Sequence, residues 1–428
     1  MPLKLLAIGD LHLGRVPSRL PEDLLSRVSQ FGPTGVWHRI VDAAVHNSVH
    51  AVLLAGDVVE EATDFFEAYR ELFTGVKRLL EQDIRVLAVA GNHDVQVLPR
   101  LAEQLDGFTL LGRDGLWDKF TLKSGAEALT VHGWSYPRSV ITTSPLENHE
   151  FERGPGVNLG LLHCDRDQAA SSYAPVSSRE LLNSGLEGWL LGHIHVPDSL
   201  SPDQPIGYLG SATGLDPGHQ GARGPWYIAV EKGNIALMEH WRLAPLQWER
   251  LQVDLTGIKA AEDARDRLLD SINELDRSLS AYATPPEAAG IRVTLTGRTR
   301  LRDSVEELLS REDLSALYTG SGRIRYFVEN LACSIYPELD ITQLAKRADP
   351  PGILARRLLI LERDPADRQR RELLQEARSY LDERANKAYW QALQARSTLQ
   401  DDEKVAEWLH AAGLAALHRL LAQKEEPG

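Results

Sequence analysis

The sequence predicts an α/β protein that continues into a small second α/β domain and a helical tail. Apolar strand-like runs alternate with amphipathic stretches between Lys4 and Asp94. A further strand–helix–strand–helix series begins after Ala244, and no strand-like run follows Asp340. Such alternation is the signature of βαβ units.

The elements follow in order. Lys4–Ile8 reads as a first strand, and it delivers Gly9-Asp10-Leu11-His12-Leu13-Gly14. Arg15 to Pro33 holds three prolines and no clear period, which predicts a loop. A helix is expected next, with Thr34 as N-cap and Trp37, Ile40, Val41, Ala44 and Val45 on one face. Ala51-Val52-Leu53-Leu54-Ala55 is a short apolar run suited to a buried strand, and it ends in Gly56-Asp57. Thr63 would cap the following helix, whose apolar side is Phe66, Tyr69, Phe73, Val76 and Leu80. Ile84–Val89 is a third strand, ending in Ala90-Gly91-Asn92-His93-Asp94. This order implies parallel strands with right-handed crossovers, and ligand sites in such sheets lie beyond the carboxyl ends of the strands.

Further strands are expected at Leu129–Trp134, at Val157–Leu162 ending in His163, and at Trp189–Leu191 ending in Gly192-His193-Ile194-His195. Ile206–Leu209 and the pair Trp226–Glu231 and Ile235–His240 complete the sheets. A hairpin signal, Lys232-Gly233-Asn234, joins that pair. Beyond Ala244, Leu251–Leu255 and Ile291–Thr296 alternate as half-exposed strands, and Arg323–Val328 supplies a third. Helices are expected from Lys259 to Leu279 and from Val305 to Leu317. Asp364 to Gln400 is a long charged helical stretch carrying Leu373, Leu374, Ala377 and Leu381. A second amphipathic piece carries Val405, Trp408, Leu409, Ala412 and Leu420. These helices read as an ordinary helical subdomain, or more sharply as a docking face for a partner helix. The boundaries drawn are 1–245, 246–340 and 341–428.

Composition sets limits on function. The 428 residues suffice for two or three domains. The N-terminus lacks the basic and apolar regions of a signal peptide, and no apolar run approaches the roughly 20 residues of a membrane span. The chain is therefore expected to be cytoplasmic. Cys164 and Cys333 are too few for a disulfide framework, and read as small buried hydrophobes in a reducing compartment. A net charge of −14 argues against a stand-alone DNA binder that grips through its own basic surface. It permits a nuclease whose metals meet the phosphates.

The polar residues at the strand ends are Asp10, His12, Asp57, Asn92, His93, His163, His193 and His195. Oxygen donors with imidazoles suit a divalent ion such as Mn²⁺, Zn²⁺ or Fe²⁺. The set is large enough for two sites if one carboxylate, Asp57, is shared. Two ions about 3.5–4 Å apart can stabilise both the attacking and the departing oxygen of an in-line phosphoryl substitution. Each piece alone is weak, because a lone histidine is more often a core or surface residue than a ligand. Five such motifs in order, each directly after an apolar run, form a far more specific signal. His132 also lies at a strand end, but no partner is evident and the structural reading is preferred.

Gly9-Asp10-Leu11-His12, Gly56-Asp57, Gly91-Asn92-His93-Asp94, His163 and Gly192-His193-Ile194-His195 resemble the five motifs of the calcineurin-like metallophosphoesterases. The resemblance is closest to the DNA-repair exonuclease branch, the SbcD and YhaO type. Asp10-Leu11-His12-Leu13-Gly14 resembles its opening motif, and Arg292–Arg298 resembles its capping domain. It implies a metallophosphoesterase sheet sandwich flanked by helices, a capping domain and a helical partner-docking region. It also implies two divalent metal ions, taken as Mn²⁺. One would be held by Asp10, His12, Asp57 and His195, the other by Asp57, Asn92, His163 and His193. His93 would face the phosphate, and Asp94 would orient His93. The implied partners are DNA, an SMC-like ATPase and a second copy of the chain, with no membrane. One position departs from the branch: Glu60 stands where many relatives carry a second active-site histidine.

Three functions compete on this basis. The first is a metal-dependent DNA exonuclease or endonuclease in DNA repair. The second is a small-molecule phosphoesterase, either a cyclic-nucleotide phosphodiesterase or a phosphatase. The third is a binding module that keeps its ligands without turnover; a complete ligand set speaks against it.

Overall fold

The structure is a computed structural model that describes residues 2–60, 65–311, 314, 317–318, 322–336, 340–385 and 402–425. Its strands are, in chain order, β1 (Leu3–Ile8), β2 (Ala51–Ala55), β3 (Arg85–Val89), β4 (Phe108–Leu110), β5 (Asp118–Ser124) and β6 (Glu127–Trp134). Next come β7 (Val157–His163), β8 (Asp165–Arg166), β9 (Pro175–Val176), β10 (Gly188–Gly192), β11 (Ile206–Tyr208), β12 (Trp226–Glu231) and β13 (Asn234–His240). The last four are β14 (Leu246–Asp254), β15 (Ala288–Thr296), β16 (Leu317–Tyr318) and β17 (Arg325–Cys333).

Alternation within the strands explains the layers. In β1, Leu5 and Ala7 point one way and Leu6 and Ile8 the other, as a two-residue period demands. Leu5, Ala7, Leu53, Val131, Leu159 and Leu190 share one core between a six-stranded sheet, β13-β12-β1-β2-β3-β4, and a five-stranded sheet, β11-β10-β7-β6-β5. Leu6, Ile8, Val52 and Leu54 share another core with Trp37, Ile40, Leu72 and Val76 of the covering helices. Burial on both faces is why these strands read as unbroken apolar runs. β1, β2, β3 and β4 pair with one another in parallel, as do β6, β7, β10 and β11, whereas β12 runs antiparallel to β1 and β5 to β6. The two-sheet sandwich flanked by helices that the sequence leads one to expect is therefore present. The β12–β13 hairpin turns at Lys232 (φ 54°) and Gly233 (φ 74°), left-handed angles that match strand twist in a two-residue turn.

Several expectations need correction. Arg15 to Pro33 is not simply a loop, because Glu22–Leu25 and Val28–Phe31 each form one helical turn. Leu24 and Phe31 are buried with Leu246, Trp248 and Phe327, so packing orders a stretch that has no period of its own. The helix Pro33–His46 is capped by Gly32 with proline in its first turn, rather than by Thr34. Proline's fixed φ suits that position, where its missing N–H has no partner to lose. Thr63 lies outside the described residues. In the helix Phe65–Leu80, Phe66 is 87% exposed; Ala68, Leu72, Val76 and Leu79 form the buried stripe. The helix expected from Val305 to Leu317 is Arg302–Ser310, and Leu317–Tyr318 instead pairs with β17. The strands β4 and β5 and the helix Val97–Gln104 were not foreseen. β5 is a largely exposed edge whose charged residues hide the pattern.

The chain divides into two compact units. Residues 1–253, 265–295 and 309–333 form the first, and residues 254–264, 296–308 and 334–428 form the second. The first unit contains the sandwich and the sheet β14-β15-β17-β16, in which β15 and β17 are parallel. The second contains the helices Ile341–Leu344, Pro350–Leu361, Arg368–Ala385 and Asp402–Glu425. Leu361, Leu374, Val405 and Ala406 form its small core, and Arg370 is buried there, 2.9 Å from Glu403. Residues between Ala385 and Asp402, including the expected helix end at Gln400, lie outside the described residues. Among the described residues, no helix is long and apolar enough to cross a membrane.

Candidate metal centre and active site

The strand ends singled out in the sequence come together. Asp10, His12 and His195 each bring a donor atom to within 4.8 Å of the other two, and Asp57, His163 and His193 form a second such group. β1 and β2 of one sheet and β7 and β10 of the other supply these residues just past their carboxyl ends. Asn92 joins the second group through Oδ1, which lies 3.2 Å from His163 Nε2. His93 stands at the mouth, with its side chain 43% exposed and its Nε2 4.0 Å from Asp57 Oδ2.

The donor chemistry fits cations. Asp10 Oδ1 accepts the His193 backbone N–H at 2.9 Å, while Asp10 Oδ2 is buried with no hydrogen-bond partner. An orphaned buried acceptor costs about 1–3 kcal/mol, more when charged. A cation beside it removes that cost. His12 Nε2 and His195 Nε2 face one another at 3.1 Å, converging on one point from two strands. His163 Nδ1 donates to the Ala55 carbonyl at 3.0 Å, so Nε2 is the atom turned toward Asn92 and toward Asp57 Oδ2 at 3.3 Å. A backbone carbonyl on the far nitrogen fixes the tautomer in the way that metal-ligating histidines require.

The charges agree with this reading. Burial works against a charged His163, but Asp57, Asp10 and Asp94 outweigh it and raise its pKa to about 9. In the metal-free protein a proton on Nε2 thus faces Asp57 Oδ2 and Asn92 Oδ1. Burial opposes ionisation of Asp57 too, yet His163 and His12 hold its carboxyl well below the usual carboxylate range. Burial pushes His195 down to about 4 and also lowers His193, leaving both neutral with a lone pair to offer.

The backbone is bent to make this possible. His12 (φ 51°), Asp57 (φ 48°) and His193 (φ 100°) all adopt left-handed angles. Such residues cost on the order of 1–3 kcal/mol each and cluster where function over-determines the geometry. A Cβ on Gly91 would sit 2.2 Å from Asp57 Oδ1 and 2.7 Å from the Asp57 nitrogen. Gly91→Ala is therefore expected to push Asp57 aside and lower the bound metal measured by elemental analysis. Full retention of metal would show that the loop can yield.

Residues that the sequence did not point to complete the surroundings. Glu60, flagged only as a departure, is buried with Oε1 2.9 Å from His93 Nδ1 and Oε2 3.4 Å from His12 Nδ1. Asp94 was expected to orient the His93 ring. Instead its oxygens accept the Gly91 and Val58 backbone N–H groups, each at 2.7 Å, so it staples the turn. Burial, then the charge of Asp57, raises the Asp94 pKa to about 7. His219 Nε2 lies 3.2 Å from His195 Nδ1 and 3.4 Å from Asp216. Asp165 Oδ2 is 3.9 Å from His193 Nε2. Neither His219 nor Asp165 carried a local motif beyond its neighbourhood in the chain. His132 is buried against Asn158 Oδ1 at 3.0 Å and edge-on to Phe151, as a structural histidine should be. Cys164 is fully buried and its thiol pKa is pushed up, which removes it as a nucleophile.

Comparison with known proteins gives the same answer. Residues 3–197 match the calcineurin-like phosphoesterase family, and residues 248–334 match the middle domain of metallophosphoesterase YhaO. The uncharacterized metallophosphoesterase YhaO of Bacillus subtilis is 28% identical over 260 residues, covering 59% of this chain and 63% of that protein. The DNA double-strand break repair protein Mre11 of Methanopyrus kandleri is 20% identical over 293 residues, covering 62% of each. The matched part thus spans less than two thirds of either relative. A solved dimetal phosphatase from Danio rerio is 12% identical, covering 56% of this chain and 96% of that one, with a TM-score of 0.35. With a calcineurin-like phosphoesterase domain followed by a YhaO-type middle domain, the chain belongs to the branch of the calcineurin-like metallophosphoesterases that includes YhaO and Mre11.

Proposed function

We propose that this protein is a two-metal phosphodiesterase that cleaves DNA, as an exonuclease or endonuclease in DNA repair. The observation that supports the reading is the pair of donor groups at adjoining strand ends, with Asp57 in the second and its backbone carbonyl accepting the His12 N–H of the first at 2.9 Å, and His93 at the mouth. Asp10, His12, Asp57 and His195 would hold one ion, and Asp57, Asn92, His163 and His193 the other. Bound ions, taken as Mn²⁺, supply Lewis acidity that neutralises phosphate charge and makes water a nucleophile near neutral pH. The chain's own residues do the rest. Asp57 and Asp10 hold negative charge at the floor of the site. The bend at Gly91 to Asp94 presents His93, whose backbone N–H donates to Asp57 Oδ1 at 3.0 Å. Its free ring edge can then meet a phosphate oxygen.

The choice of DNA rests on the likeness to Mre11, whose name is that of a double-strand break repair protein, and on the long extension after Ala244. In this reading residues 246–340 cap the site, residues 341–428 dock on an SMC-like ATPase, and the protein acts in the cytoplasm as a homodimer. The second reading, a small-molecule phosphoesterase, is favoured by the net charge of −14, which repels a polyanion. End-labelled duplex and single-stranded DNA, incubated with Mn²⁺ or EDTA, separate the two. Metal-dependent shortening, lost in His93→Ala with metal still bound, is expected. No cutting of DNA with the ATPase neighbour supplied, beside turnover of a cyclic nucleotide, would move the assignment to the second.

A further inference from the structure

Among the described residues, Glu60 is the one buried carboxylate at the mouth of the centre with no place in either donor group. Its backbone is pinned, since its N–H donates to the Leu13 carbonyl at 2.8 Å. Its two oxygens reach two imidazoles, His93 Nδ1 at 2.9 Å and His12 Nδ1 at 3.4 Å. The opposite nitrogen of each ring faces inward: His12 Nε2 toward His195, His93 Nε2 toward Asp57. An ionised carboxylate only accepts. The His93 Nδ1 facing it therefore carries its hydrogen, and His93 Nε2 is the working atom; His12 Nδ1 lies near the second oxygen but makes no hydrogen bond. Glutamine could replace it only in part, because its amide oxygen can accept from His93 Nδ1 but without the charge of a carboxylate.

Resting on the phosphodiesterase reading above, we propose that Glu60 is a positioning residue for leaving-group protonation, clamping His93 through Nδ1 so that Nε2–H meets the departing oxygen. In the step, water adds to phosphorus and releases a proton to solvent. The bond from phosphorus to the departing oxygen breaks with its electron pair left on that oxygen. His93 acts in this step as the doubly protonated ring: its Nε2 proton passes to that oxygen, leaving the neutral Nδ1–H ring on Glu60, and Nε2 regains a proton from solvent. A sugar alkoxide needs that proton to leave, whereas p-nitrophenolate departs without it. A clamp on His93 must therefore matter for one leaving group and little for the other.

The test uses the full chain loaded with Mn²⁺, as wild type, Glu60→Ala and Glu60→Gln. Alkoxide departure is read on an oligonucleotide and on 2′,3′-cyclic AMP, aryl departure on bis(p-nitrophenyl) phosphate. Elemental analysis and thermal melting accompany each variant. The expected result is a fall of about 10–100-fold in kcat for the alkoxide esters, the usual cost of losing a residue that orients another. The aryl diester should fall far less, KM should move little, and Glu60→Gln should lie between wild type and Glu60→Ala. An equal fall on both leaving groups, with or without loss of metal, reduces Glu60 to a structural role and overturns the proposal. So does an unchanged ratio, or a wild type that cleaves the aryl diester but no alkoxide ester. A wild type inert toward all three substrates instead overturns the phosphodiesterase reading itself.

Discussion

Asp57→Asn should abolish hydrolysis of any phosphodiester the protein accepts, by about 10³-fold or more, since metal-ion charge stabilisation is worth several kcal/mol. The substitution keeps the shape of the side chain and removes its charge. Asp57 Oδ2 lies 3.3 Å from His163 Nε2, and Oδ1 accepts the His93 N–H at 3.0 Å. An amide oxygen can keep the second contact, but an amide nitrogen cannot serve as an anionic ligand between two cations. Elemental analysis should show metal lost from both positions, not one, because the proposed function has this carboxylate common to both ions. A variant that kept its metal and its rate would remove Asp57 from the centre of the account.

The second large effect is on stability, and it runs in opposite directions with and without metal. The folded pKa of His163, about 9, lies above its ordinary value of 6.5. In the metal-free protein the protonated ring contributes stability that is fully present below pH 6.5. That contribution is lost as pH rises through about 9. A bound ion displaces the same proton, so metal affinity climbs over the same window, by up to about tenfold per pH unit for one proton released. The rise in Tm on adding Mn²⁺ should therefore widen steadily from pH 6.5 toward 9. A rise in Tm that stayed flat across that range would show that no proton is exchanged at His163.

Much of this site was legible in the sequence because its candidate ligands sit at strand ends. An apolar run such as Ala51–Ala55 announces a buried strand, and the Gly-Asp that follows has one place to go. Glu60 shows where such reading stops. From spacing alone an acidic residue near a phosphate looks like a repulsive intruder, since nothing along the chain reveals that His12 and His93 lie against its two oxygens. Asp94 shows the converse: its neighbour in sequence is His93, but its partners in space are the backbone N–H groups of Gly91 and Val58.

Sequence by itself therefore determined most strands of the sandwich and the side chains presented at their ends, though not β4 or β5, because burial and a two-residue period leave local marks. Only the tertiary structure decided which groups pair: His195 with His12 and His219, Glu60 with both His12 and His93, and Phe31 with Trp248. Those choices depend on distances between segments far apart in the chain, and a left-handed angle at His12, Asp57 or His193 is chosen by what surrounds it rather than by the residue itself.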